Sequence, residues 1–461
     1  TKKMLSKNAV AYAWKQVFYR LGIKAEDGQF TLGGQKVRCG YGVDQVDPAP
    51  GFSILVEKCA DNALDELVSG QISGLARLPK SRFLPDAGAD FPVEELPVLF
   101  WGSPSREKFA EIRGKQVIVH ADILAAVFFM LSRYEEVQAA AYDKHGRYPY
   151  RASVCCRYDL IDLPIVAYYA LLLKAWLEKL TGSRITPPHK FRFHFSHDVD
   201  YMFLSHPFHK WLDVIARDLL KGRVDFLKED LPAVLTSFTE DRYFKDLQRL
   251  VEIARENGNQ DIFYLLTSKP FFSRDGYSLN DSRSRFALNL LKKSGMRIGL
   301  HTSYTSFERP ELFALEKERL EKAAGLPVAD ARAHFLRIRT PHTWAHMQAA
   351  GLRCDESYSF SEHEGFRCGT CYEYPVFDLL QDRELDFYER PLIVMDASLR
   401  SYRKLSAAEG RRRILELARV CQSVNGTFTL LWHNACLNRE WREWGAFLPE
   451  VVKILTEMER G

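Results

Sequence analysis

From residue 191 onward, stretches with the two-residue period of a strand alternate with stretches carrying the longer period of a helix. "KFRFHFSH" reads as strand, "EDRYFKDLQRLVEIAREN" as a helix ended by Gly258, "QDIFYLLTS" as strand, "SRSRFALNLLKKSG" as helix and "MRIGLHTS" as strand. "RPELFALEKERLEKAAG" then reads as a helix to Gly325, followed by "HFLRIRTP" as a strand, a helix through "TWAHMQAAG", and short strands near "LIVMDAS". The helix "AEGRRRILELARVCQSV" and the strand "TFTLLWHN" complete the series. Repeated βα units predict a parallel sheet, either closed as a barrel or doubly wound. In both architectures the chemistry gathers at the C-terminal ends of the strands.

A chain of 461 residues, 46% hydrophobic, exceeds one ordinary core. The break falls at "LTGSRITPPHK", where a helical pattern meets Gly182, Pro187 and Pro188. Residues 186–461 are expected to form the βα domain, and residues 1–185 a smaller mixed α/β domain whose role the residues do not disclose. In that first part, "DILAAVFFMLSRYEE" and "LPIVAYYALLLKAWLEKL" read as helices, the former capped by Asp122, and "FSILVEK" and "QVIVH" as strands.

Lys and Arg number 64 against 60 Asp and Glu, leaving a formal charge of +4 and no dense basic stripe, so nucleic acid is not an expected partner. The apolar runs fall short of the roughly 20 residues that a membrane span needs. The first residues lack the apolar core of a signal peptide, and nine scattered cysteines suit reduced thiols, so a cytoplasmic location is expected. Cys368 and Cys371 form one C-x-x-C, which reads as a tight turn with two buried thiols, since a structural zinc site needs a second pair of ligands.

The strand candidates finish in a particular set of polar residues: Asp198 and Asp200 in "SHDVD", His301 in "GLHTS", Arg339 in "RTPHT", Asp396 in "MDAS" and His433 in "LLWHN". Asp198 and Asp200 stand two apart, so an extended chain points both the same way. Carboxylates, imidazoles and a guanidinium meeting at one mouth make a metal-assisted hydrolytic site. Singly, each has a blander reading: an Asx turn for D-V-D, a satisfied core imidazole for either histidine, a surface ion pair for Arg339.

Taken in order over about residues 190–440, "HDVD", "GLHTS", "RTPH", "MDASL" and "LLWHN" resemble the five motifs of the polysaccharide deacetylase superfamily, the NodB-homology or carbohydrate esterase family four group. The upstream "DILAAVFFMLSRYEE" resembles a segment that precedes the deacetylase domain in some bacterial proteins of this type. The resemblance implies a distorted (β/α) barrel that removes acyl groups, usually acetyl, from an N-acylated sugar, oligosaccharide or sugar precursor. It implies a divalent cation, zinc first, with cobalt, nickel or manganese as alternatives. By the family pattern Asp198 is the general base, Asp200 and His301 are metal ligands, Arg339 holds Asp198, and His433 is the general acid oriented by Asp396. The sequence departs from the pattern at Thr305, where the family has a second histidine. A third ligand must then come from elsewhere: His334 is the candidate, with His197 and His342 as competitors. That departure also leaves open a barrel that binds a glycan or sugar precursor without hydrolysis, and a hydrolase acting on a non-sugar amide.

Overall fold

The computed structural model describes residues 5–461 except 43–50, 87, 103, 140, 204–211, 213–214, 217, 224, 227–237 and 268–276. Its first part holds β1 (Gln29–Leu32), β2 (Gln35–Tyr41), β3 (Phe52–Val56), β4 (Ala76–Pro79), β5 (Glu95–Val98), β6 (Ala110–Arg113) and β7 (Gln116–Val119). β4 and β5 pair alone, and the others form a mixed sheet of order β1-β2-β3-β7-β6. The second part holds β8 (Arg192–Val199), β9 (Ile262–Leu266), β10 (Arg297–Thr302), β11 (Asp330–Ala333), β12 (Cys354–Asp355), β13 (Tyr374–Asp378), β14 (Arg383–Glu389), β15 (Val394–Met395) and β16 (Thr427–Leu431).

These nine strands form one sheet, in the order β13-β14-β12-β11-β10-β9-β8-β16-β15. Every pairing is parallel except that of β13 with β14. Helices between the parallel strands cover the sheet, which is why β9, "IFYLL", is buried at every position instead of alternating. Strand order and connection fit a barrel-like α/β fold, with β13 and β15 as the sheet's edges. Among the described residues no helix is long and apolar enough to cross a membrane.

One strand expectation is corrected. "HFLRIRTP" is not a strand: β11 ends at Ala333, and His334–Leu336 form a 3-10 turn in which Phe335 has φ 60° and ψ 13°. A chain in that left-handed region cannot continue a β ladder.

The two parts share a core. The helix Ile123–Leu131 is buried at all nine positions, and Asp122 caps it by accepting from the Ala125 N–H at 2.9 Å. A helix without a polar face needs cover all round. Part of that cover is the far end of the chain, since the Phe128 ring meets Phe377 at 5.2 Å. Helix Lys7–Leu21 makes a parallel contact, with the Tyr12 hydroxyl donating to the Pro375 carbonyl at 2.7 Å.

A buried clamp crosses the same junction. Glu136 accepts from Arg367 Nε and Nη2 at 2.9 and 2.8 Å, from Arg133 Nε at 2.9 Å and from Thr340 Oγ1 at 3.1 Å. Burial alone would raise the Glu136 pKa, but Arg367 and then Arg133 outweigh it and hold the carboxyl below its usual range. The clamp thereby fixes the loop after β11 to the first part of the chain. Glu136→Gln, which leaves two buried guanidinium groups short of their counter-charge, is expected to cost about 3–5 kcal/mol in urea denaturation. Because the folded pKa is depressed, the carboxylate's contribution is complete above the unfolded value of about 4.3 and fades as pH falls through the folded one. The acid limb of the stability curve should therefore flatten in the variant.

Candidate active site

β8 puts Ser196 and Asp198 on one side and His197 on the other, and Asp200 follows directly after the strand. His197 is accounted for by structure: Nδ1 meets the Trp432 carbonyl and Nε2 meets Asp261 Oδ2, each at 3.1 Å, with the ring against Phe195 and Phe263. His342 is exposed at the start of its helix, beside His346. Neither belongs to the cluster that forms at the strand ends.

That cluster comprises Asp200, His301 and His334, whose ligand atoms all lie within 4.8 Å of one another. Asp200 Oδ1 is 3.3 Å from His301 Nε2 and 3.5 Å from His334 Nε2. Ligands placed about 2.0–2.2 Å from a tetrahedral ion stand about 3.3–3.6 Å apart, so the spacing suits one cation. The His301 Nδ1–H donates to the Arg332 carbonyl at 2.9 Å, which turns Nε2 toward the two aspartates. There Nε2 has no hydrogen-bond partner, and neither has Asp198 Oδ1 or Asp200 Oδ1, although all three atoms are buried. Such atoms are rare without an ion or water between them. Without a cation the cluster balances itself by protonation: burial would lower the His301 pKa, but Asp198 and Asp200 raise it. Burial likewise works to raise that of Asp200, and His334, His301 and His433 hold it well below the carboxylate range.

Asp198, buried beside this group, lies with Oδ2 3.6 Å from His301 Nε2 and 3.9 Å from His433 Nε2. His433 is fixed twice by the buried Asp396, which accepts from its Nδ1–H at 2.7 Å and its backbone N–H at 2.8 Å. Burial would lower the His433 pKa, yet Asp396 above all raises it, to about 10. Asp396, His433 and Cys436 also bring ligand atoms together, but the bond between the first two occupies both.

Arg339 does not hold Asp198. Its guanidinium lies over the rings of Tyr142 and Phe307, 5.0 and 5.2 Å from their centroids. The guanidinium beside Asp198 belongs to Arg332, whose Nη1 is 3.7 Å from Asp198 Oδ1 and whose Nη2 donates to Ser196 Oγ and Glu356 Oε2, each at 2.8 Å. The displaced end of β11 is the reason, because Arg332 lies within the strand and Arg339 six residues past its last position. A signal was present in "ARAH": Arg332 and His334 repeat the two-residue spacing of Asp198 and Asp200.

Asp198, Asp200, His334 and His433 line a cavity of about 150 Å³ that also takes in Phe335, Tyr402 and Arg147, the last from the first part of the chain. A far larger groove of about 1080 Å³ runs along helix Lys7–Leu21, but Glu373 is its one acidic lining residue and it has no histidine. Size does not locate the chemistry here. The nine cysteines are all free thiols, Cys368 and Cys371 included.

Residues 76–182 match the model of a family of unknown function, DUF7033. No curated protein matches the chain. Among solved structures, one similar chain is described as a "putative polysaccharide deacetylase" from Mycobacterium smegmatis; it is 14% identical, with a TM-score of 0.40, over 60% of this chain and 87% of that one.

The cation fit is open to direct measurement. Protein equilibrated with zinc, cobalt, nickel or manganese is expected to retain one equivalent per chain by elemental analysis. Asp200→Asn, His301→Ala and His334→Ala should each weaken retention at least about tenfold, whereas Arg339→Ala should retain the metal as the parent does.

Proposed function

We propose that this chain is a metal-dependent hydrolase that removes an acetyl or other acyl group from an N-acylated sugar or polysaccharide precursor. One observation carries the reading: Asp198, Asp200, His334 and His433 line one cavity, His301 packs against both aspartates, and the buried Asp198 Oδ1 and Asp200 Oδ1 lack hydrogen-bond partners. The sugar and the distorted (β/α) barrel enter from the order of the five sequence motifs. His334 beside Asp200 and His301 supplies the imidazole that Thr305 lacks, which favours hydrolysis over binding alone.

Asp200, His301 and His334 would hold the divalent ion, zinc first by its preference for such a donor set. A bound ion would supply an acidified water and polarisation of the acyl carbonyl. Asp198, backed by Arg332, is placed to accept the water's proton at a carboxylate oxygen. Arg332 acts on Asp198 through charge alone, since 3.7 Å is too long for a hydrogen bond. His433 carries a proton on Nε2 toward the cavity, because Asp396 engages Nδ1 and stabilises the imidazolium. Delivered to the departing nitrogen, that proton turns a very poor leaving group into an amine.

Acetate release from N-acetylglucosamine oligomers by the metal-loaded protein tests the reading. Asp198→Asn and His433→Ala are expected to keep their metal and lose about 10²–10⁴ in kcat. Wild-type turnover by both variants would remove the assignment.

A further inference from the structure

One wall of the cavity comes from outside the nine-stranded sheet. Arg147 lies there with Phe335 and Tyr402, and belongs to the stretch matched by the family of unknown function. Its guanidinium is locked in place. Nε donates to Asp143 Oδ2 at 2.7 Å, Nη1 to the Phe335 carbonyl at 3.1 Å, and Nη2 faces Asp143 Oδ2 at 2.7 Å and the Tyr402 hydroxyl at 3.5 Å. Asp143 is itself pinned, accepting from the backbone N–H groups of His145 and Arg147 at 2.8 and 2.9 Å. Those four guanidinium contacts leave one of its five N–H groups for another acceptor.

The two rings at this wall are half-open to solvent, Phe335 and Tyr402 each 42% exposed. Phe335 is kept there by a left-handed backbone, φ 60°, and Leu336 follows at φ 53°. Two successive residues of this kind are held against their own preference, a condition found where side chains are aimed at ligands. Tyr402 closes a π-helical turn, Ser398–Tyr402, a feature of the same distribution. Apolar rings beside a fixed guanidinium suit a ligand that has an apolar face and an oxygen-bearing edge. Asp143 already neutralises Arg147, so the guanidinium offers a directed N–H and not an unbalanced charge, which suits an uncharged ligand edge.

We propose that Arg147, locked by Asp143, forms with Phe335 and Tyr402 a subsite for an uncharged sugar ring, so that the first part of the chain completes the substrate site. The proposal rests on the hydrolase reading for its class of ligand. Arg147 is a binding residue in it and touches no reacting group.

The test uses the metal-loaded full chain carrying Asp198→Asn, titrated with N,N′-diacetylchitobiose, N-acetylglucosamine and N-acetylglucosamine 1-phosphate by calorimetry. Added to it, Arg147→Ala and Arg147→Lys should each raise the chitobiose Kd at least tenfold with metal content unchanged, the lysine failing because a point charge cannot span the Phe335 carbonyl and Tyr402 hydroxyl. Tyr402→Ala removes an exposed ring and should raise Kd about fivefold; it decides the matter if the Arg147 variants do not fold. Parent-like Kd values in the variants, absence of sugar binding, or tenfold preference for the phosphate over N-acetylglucosamine would each overturn the subsite. In the chain with Asp198 restored, sugar binding without acetate release sinks hydrolysis and leaves the subsite. Acetate release with a KM indifferent to Arg147 sinks the subsite and leaves hydrolysis.

Discussion

Two carboxylates at the end of one strand, Asp198 buried and Asp200 partly so, set the terms for everything around them. Unpaired, each would be protonated or expelled. The fold answers with alternating charge in layers. Imidazoles of His301, His334 and His433 face the carboxylates, with Arg332 behind Asp198. Behind Arg332 comes Glu356, which is met in turn by His194 and Arg390. Burial works to raise the Glu356 pKa, yet His194, Arg390 and Arg332 hold it far below the usual range. Each charge is stabilised by the next, and the interior of the sheet becomes a polar rod between apolar walls.

The first part of the chain is coupled to that rod through the loop after β11. Glu136 reaches Thr340, and Arg147 reaches the Phe335 carbonyl, so both ends of residues 335–340 are held from outside the sheet. His334 opens that loop. The geometry of one candidate ligand therefore depends on contacts made far upstream in sequence, which ties the candidate cation cluster to the upstream region.

How much of this was legible beforehand follows from where each residue sits. Asp198 and Asp200 lie within and directly after β8, whose period points them the same way, while His301, in β10, was joined to them by its place at a strand end and by the motif order. His433 and Asp396 follow β16 and β15 by one or two residues and were equally readable. Arg339 misled because "FLRIRT" alternates like a strand while its backbone turns left-handed at Phe335 and Leu336, an event with no marker in a stretch lacking glycine. Arg147 had no local signal at all: its place depends on tertiary contacts with Phe335 and Tyr402, and no periodicity encodes those.

The wholly apolar helix Ile123–Leu131 also bears on how the chain comes to be made. A ribosome delivers it, together with Arg133 and Glu136, long before Arg367, Gly369 and Phe377 exist to cover them, and Gly369, at φ 61°, packs directly against Met130. During that interval the nascent chain shows an oily surface and half-made ion pairs to the cell. Its completion is an act of closure from the far end, so the last segments made supply the cover that the early helix lacks.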